Sequence, residues 1–302
     1  MIIYKFYKGL RIIRNLFIEL MGNPLIVNAS LSINKYGKIY HSNWGDDINF
    51  FFLEEITDRQ VLMLHECIIA KCFKRKNYVI IGSTIDMLVN RGSIIWGAGL
   101  ITEHPKDLIY PRKICAVRGP KTRNILLAKG FDCPAIYGDP ALLLPLYYKP
   151  KCQKVYQLGI IPHYSDILYV SENLLREQGV HIIRVQGYKD WYQFIDDINK
   201  CECVVSSSLH GLIVAEAYNV PNHWIEFKES CSRERFKYDD FYMSIGKIES
   251  PIYVSQETNK DTLILSCQNW KPGKVDLQPL ISACPFKLKQ INYEKNNHSM
   301  YQ

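Results

Sequence analysis

The chain has 302 residues, 47% of them hydrophobic, and a net charge of +7 spread along its length, enough to bury the core of two domains or of one large one. No zinc-finger spacing, RNP-type motif or nucleic-acid-like basic run accompanies that charge, which argues against nucleic acid and leaves anionic substrates or a membrane surface. Ten cysteines without a C-x-x-C pair or a secretory signal point to the cytosol rather than to a disulfide scaffold.

The stretch 1–20, MIIYKFYKGLRIIRNLFIEL, is interrupted too often by Lys5, Lys8, Arg11 and Arg14 to cross a bilayer. Written on a helix, those cations drift around one side while Ile2, Phe6, Leu10, Ile13, Phe17 and Leu20 fill another. That pattern suits a helix lying on an anionic bilayer, or one packed on the protein's own core or on another subunit. Beyond it, strand-like and helix-like segments alternate, the signature of an α/β architecture with largely parallel sheets. In a first half, 21–148, strands are expected at 25–28, 79–82, 93–96, 114–117 and 135–137, and helices at 47–56, 61–73 and 120–129. A polar, basic stretch at 146–157 reads as an interdomain linker. In a second half, 149–291, the spacing predicts strands at 159–161, 181–185, 204–206 and 224–227, with helices at 166–178, 190–199 and 209–219. A flexible polar tail is expected at 292–302. The fold class is therefore α/β, two Rossmann-like domains facing across a cleft, with ligands expected outside the carboxyl ends of the strands.

The segment 202–221, ECVVSSSLHGLIVAEAYNVP, carries the strongest functional signal. Val204 and Val205 close a buried strand, Ser206, Ser207 and Ser208 are capping types, and Leu209, Leu212, Ile213, Ala217 and Val220 recur at helical spacing. His210 then falls in the first helical turn, where unpaired backbone N–H groups and the helix dipole favour an anion and disfavour an imidazolium. Glu216 is the only charge between His210 and Pro221, so the helix is expected to be buried and its polar opening to face a cleft. Other strand-end loops supply Asn43, Asp46 and Asp47, then Trp96 and Gly97, then Arg118, then His163. Arg118 is placed to clamp a carboxylate or phosphate. Trp96 offers a face suited to a sugar ring. Gly97-Ala98-Gly99 reads as a tight turn rather than a phosphate loop, and Asp46-Asp47 as the cap of the helix from Ile48. With no Asp-x-Asp pair and no metal-ligand spacing, no metal site is expected. The serines lack a nucleophile elbow and read as phosphate ligands.

Taken in order, NWGDDIN, VRGPKT, GDPALLLP, GIIPHY and VVSSSLHGLIVAEAYNVP resemble the polysaccharide pyruvyl transferase family, over roughly residues 36–245. The resemblance implies the two-Rossmann fold of GT-B-like glycosyltransferases. It also implies phosphoenolpyruvate as co-substrate without a further cofactor, and a pyruvate ketal built across two hydroxyls of a sugar in a capsule or exopolysaccharide repeat unit. By position, His210 matches the family's motif histidine and Arg118 its donor-binding arginine. Ser207, Ser208, Gly211 and His163 then complete the donor side, and Asn43, Asp46, Trp96 and Gly97 the acceptor side or cleft. Many members carry arginine two residues before the histidine, where this chain has Ser208. The expected partners are phosphoenolpyruvate and a glycan acceptor on a lipid-linked oligosaccharide, with no nucleic acid. The expected location is cytoplasmic, with peripheral contact of 1–20 with the inner membrane. The alternative reading is a metal-independent glycosyltransferase of similar fold that uses a nucleotide sugar.

Overall fold

The computed structural model describes residues 2–34, 38–227 and 235–289, with side chains from residue 6 onward. Its elements are α1 (Ile2–Met21), β1 (Leu25–Val27), α2 (Trp44–Ile56), β2 (Val61–Met63), α3 (Ile68–Cys72), β3 (Asn77–Val79), α4 (Ile85–Leu88), β4 (Ser93–Trp96), β5 (Lys113–Ala116) and α5 (Pro120–Ala128). After an irregular connection at 147–155 follow β6 (Tyr156–Ile161), α6 (Glu172–Arg176), β7 (Val180–Ile182), α7 (Trp191–Asn199), β8 (Cys201–Ser206), α8 (Leu209–Ala217), β9 (Asn222–Phe227), α9 (Phe236–Ser244), β10 (Ile252–Val254), α10 (Lys260–Cys267) and α11 (Gln278–Ser282).

Two five-stranded sheets result, ordered β2-β1-β3-β4-β5 and β10-β9-β8-β6-β7, with every pairing between these strands parallel. Counted within its own half, each sheet has the order 2-1-3-4-5. The strand order therefore reverses between β1 and β3 and between β6 and β8, the points where doubly wound sheets open a ligand crevice. Helices cover both faces, so the strands are near-continuous apolar runs. Ser93–Trp96 is buried throughout, and β8 is buried except at Glu202.

Several expected elements are redrawn by tertiary pairing. The helix expected at 61–73 is instead β2, a single 3-10 turn at Leu64–Glu66 and α3. Val61, Leu62 and Met63 are all buried and pair with Leu25, Ile26 and Val27, and that burial outweighs the helical spacing of the segment. The strand expected at 79–82 starts at Asn77, whose Oδ1 takes a bond from Ser93 Oγ at 2.7 Å. Residues 135–137 contribute one isolated bridge, Tyr137 to Val117. The helix expected at 166–178 divides at Val170, and Ser171 recaps its second part by accepting from Leu174 N at 3.3 Å.

The halves share one apolar cluster that runs from Leu25 and Trp44 through Leu144 to Val204, Ile213 and Trp224. The Trp44 indole donates to the Trp191 carbonyl at 2.8 Å and stacks on Phe194. The 277–289 segment, assigned by sequence to the second half, returns to the first sheet. Trp96 Nε1 donates to Leu280 O at 2.9 Å, Phe286 meets the rings of Trp96 and Tyr78 edge-on, and Lys289 N bonds Ile56 O. The reason lies in Tyr78 and Trp96, whose rings need a cover that the first half does not provide. The tail expected at 292–302 lies outside the described residues.

Candidate active site

At the β6/β8 reversal of the second sheet, Ser206 ends β8 and its hydroxyl donates to Ile161 O at 3.0 Å, tying the two strand ends together. Ser206 Oγ also accepts from Ser208 N at 3.0 Å, which turns the chain sharply into α8. Ser207 Oγ donates to Asp166 Oδ2 at 2.6 Å and accepts from His163 N at 3.0 Å, so the loop after β6 is locked to the start of α8. These bonds occupy the Ser207 hydroxyl in positioning His163. Ser208 stands at the N-cap of α8 with no side-chain cap bond. Residues 209 and 211–216 are buried, as a helix apolar on all sides requires.

His210 points from α8 into a recess closed by the start of α2. A Cβ placed on Gly45 would lie 2.0 Å from His210 Nδ1, so only glycine admits the ring there. The imidazole thus sits against the amino ends of two helices, each contributing partial positive charge, although the first four N–H groups of α2 are bonded to Val185 O and to Asn43. Its Nε2 is buried without a hydrogen-bond partner among the described residues. Burial pushes the His210 imidazole down to about 3, and the charges of Lys237 and Arg118 add to that effect. The histidine is neutral near pH 7.

Helix α2 starts at Trp44, not at the expected 47, and its cap is Asn43 rather than Asp46 or Asp47. Asn43 Oδ1 accepts from Gly45 N at 3.3 Å, and its Nδ2 donates to Asp46 Oδ2 at 2.8 Å. Burial raises the Asp46 carboxyl to about 6 against the Asn43 bond, which pulls the other way; Asp47 adds to the rise and Lys237 opposes it. Asp47 is fully buried and also raised to about 6, again chiefly by burial, although it accepts from Tyr188 Oη at 2.6 Å.

Arg118 lies at the expected strand end, but it is a buried ion pair rather than an open clamp. Its guanidinium is 0% exposed. Nε and Nη2 each lie 3.0 Å from Asp240 Oδ2, Nη1 donates to Ser83 Oγ at 2.5 Å, and Nη2 donates to Leu100 O at 2.7 Å. Asp240 also accepts from Thr122 N and Oγ1 at 2.8 and 2.7 Å. Arg118 therefore fastens α9 to the end of β5, and α9 carries Lys237, the cation whose charge acts on both Asp46 and His210. A second α9 contact, Tyr238 Oη to Ser207 O at 2.8 Å, holds α9 to the α8 turn.

The remaining expected residues separate. Trp96 is wholly buried with its ring against Phe286, so it has no face to offer a sugar. Gly97, at φ +91°, packs under Pro140 and belongs to the same core. Gly211 lets α8 approach Ile161 and Ser206. His163 lies at the rim, its Nδ1 3.0 Å from Ser165 Oγ. Beside it a cavity of about 800 Å3 opens between the 38–42 segment, the loop after β6 and the 184–189 loop, carrying Lys38, Arg184 and Lys189 together with Tyr40 and Tyr164. Sequence reasoning placed Gly45 in the 43–47 turn beside the cleft but missed Lys237, Asp240 and this cavity. Among the described residues no group of three or more His, Cys, Asp or Glu is arranged to hold a metal ion.

The sequence profile of the polysaccharide pyruvyl transferase family matches residues 23–229. Protein L143 of Acanthamoeba polyphaga mimivirus, itself uncharacterized, is 29% identical over 217 residues, covering 70% of this chain and 73% of its own. The succinoglycan biosynthesis protein ExoV of Rhizobium meliloti (strain 1021) is 25% identical over 240 residues, covering 78% of this chain and 72% of its own. No solved structure matches significantly.

Proposed function

We propose, from the premise that this chain belongs to the polysaccharide pyruvyl transferase family, that it moves the pyruvyl group of phosphoenolpyruvate onto two hydroxyls of a surface-polysaccharide sugar, forming a cyclic ketal and releasing phosphate. The observation that carries this reading is the His210 recess. A neutral imidazole with a free Nε2, two helix amino ends and the Lys237 charge converge there beside a half-buried acid, Asp46. The relative whose name places it in succinoglycan biosynthesis supports a polysaccharide acceptor.

In this proposal the donor's phosphate and carboxylate lie toward the α2 and α8 amino ends and Lys237. Lys237 supplies from α9 the cation that many members carry at the position of Ser208. The incoming anion raises the Asp46 carboxyl further, so it is protonated when the donor is bound. Asp46 then gives its proton to the enol methylene, which becomes a methyl group and leaves a cationic carbon. A sugar hydroxyl attacks that carbon and passes its proton to His210 Nε2. The C–O bond to phosphate breaks, and a second hydroxyl attacks the resulting oxocarbenium ion to close the ketal. One proton enters at the methylene and two leave the hydroxyls, and the surplus departs on phosphate. Arg118 acts here as a positioning residue, through Asp240 and α9. The acceptor enters by way of the cavity beside His163.

The test is phosphate release from phosphoenolpyruvate with and without a panel of glycan acceptors. Acceptor-dependent release in the wild type, reduced about 10²–10⁴-fold in His210→Ala and Asp46→Asn, is the expected result. In Asp46→Asn the residual rate should also lose the fall at alkaline pH that an acid requiring its proton imposes. No release, with no calorimetric binding of phosphoenolpyruvate, overturns the reading.

A further inference from the structure

Helix α1 is mounted inside out. Its two most deeply buried positions are polar, beside a half-buried Ile18 that packs on Ile26, Leu62, Cys67 and Ala70. Asn15 and Glu19 are almost wholly enclosed, Glu19 accepts from Ala70 N at 2.8 Å at the start of α3, and Arg11 Nη2 pairs with Glu66 at 2.8 Å. Most of its exposed positions are apolar. Phe6, Leu10, Ile13, Phe17 and Leu20, separated alternately by four and three residues, form one stripe, with Ile13, Phe17 and Leu20 each more than 60% exposed. A helix of a water-soluble surface is built the other way round. Alongside its last turn the 71–76 segment carries exposed Lys71, Lys74, Arg75 and Lys76 around Phe73, which is 77% exposed. Arg75 Nη1 donates to Glu19 O at 3.3 Å, so this segment and the helix form one surface.

We propose that this surface lies on an anionic lipid bilayer, the α1 stripe and Phe73 entering the headgroup boundary and the 71–76 cations meeting lipid charge. Charge decides the occupant. The one acid of α1, Glu19, is consumed inside the protein, while Lys8 and Arg14 are exposed. A second copy packed along the same stripe would therefore bring cations together with no acid to pair them, whereas an anionic surface neutralises them. No helix among the described residues is long and apolar enough to cross the membrane, so the contact is peripheral. The inference is independent of the donor chemistry proposed above.

Co-sedimentation of the full chain with phosphatidylcholine vesicles, with and without phosphatidylglycerol, tests it. At least about tenfold stronger uptake by the anionic vesicles is expected. Ile13→Glu/Phe17→Glu should abolish uptake, and Lys74→Ala/Lys76→Ala should weaken it roughly tenfold or more, at about 1 kcal/mol per cation. Circular dichroism and the acceptor-dependent phosphate release of both variants, with a water-soluble acceptor, should match the wild type, since every substituted side chain is exposed. Phe73→Ser, which lies outside α1, provides a second apolar variant that leaves the helix intact and should also lower uptake. Three results overturn the proposal: no uptake by the wild type, equal uptake by neutral and anionic vesicles, or uptake unchanged in Ile13→Glu/Phe17→Glu. A stable dimer broken by those same substitutions, with no vesicle uptake, assigns the stripe to a second copy instead.

Discussion

Because a Cβ on Gly45 would meet the imidazole of His210 at 2.0 Å, the two residues form one functional unit although they lie on different helices and in different halves. Gly45→Ala must displace the ring, and an overpacked site of this kind costs about 1–3 kcal/mol. The expected outcome is acceptor-dependent phosphate release lowered as far as in His210→Ala, with a soluble protein and a modestly lower urea midpoint. His210 itself carries a pH signature. Its imidazole is held down at about 3 in the fold against about 6.5 in an unfolded chain. The stability associated with its neutral form is complete above about pH 6.5 and withdrawn as the pH falls toward about 3. His210→Gln has nothing to ionise, so its urea midpoint should fall less than that of the wild type between about pH 7 and about pH 5. Asp46 and Asp47, raised to about 6, act in the opposite sense. Both are present in the variant and the wild type, so their effect cancels in the difference.

Among the elements, α9 governs how the site is assembled. It is joined to the first half by Asp240 with Arg118 and Thr122, and by Lys121 with Asp239 at 2.9 Å. Arg118→Met strips a buried carboxylate of its cation, a change that costs about 3–5 kcal/mol. Arg118→Met/Asp240→Leu removes both charges and should recover much of that loss in chemical denaturation. Phosphate release should stay low in both variants, because neither holds Lys237 in place. The strong periodic elements were legible from sequence, β4 at its bounds and α5 and α8 at their starts, because local spacing and proline placement decide them. Helix α9 was not, since FKYDDFYMS has little amphipathic pattern and owes its existence to partners about 120 residues away, Asp240 lying 122 positions from Arg118. The candidate site divides the same way. His210 and Arg118 were found as strand-end residues, but that Arg118 is spent on an internal pair follows only from the return of α9. The reading of Trp96 as a sugar face failed because Leu280 and Phe286, far along the chain, cover it.

At the scale of the molecule, the two sheets do not have separate interiors. One cluster spans both, and the 277–289 segment closes the first sheet from the far end of the chain. Thermal unfolding of the intact chain should therefore be a single transition. Truncation after residue 276 removes Leu280 and Phe286, each worth about 1.5–3 kcal/mol of apolar burial. It should lower the midpoint and shift the emission of Trp96 to the red, as water reaches the indole. The same closure has a meaning for biosynthesis. A chain emerging from the ribosome presents Tyr78 and Trp96 long before Leu280 and Phe286 have been made. Until then the first sheet has part of its interior uncovered, a state in which exposed apolar rings attract chaperones or neighbouring chains. The nascent protein cannot finish its first half until the 277–289 segment has been made and has returned to cover those rings.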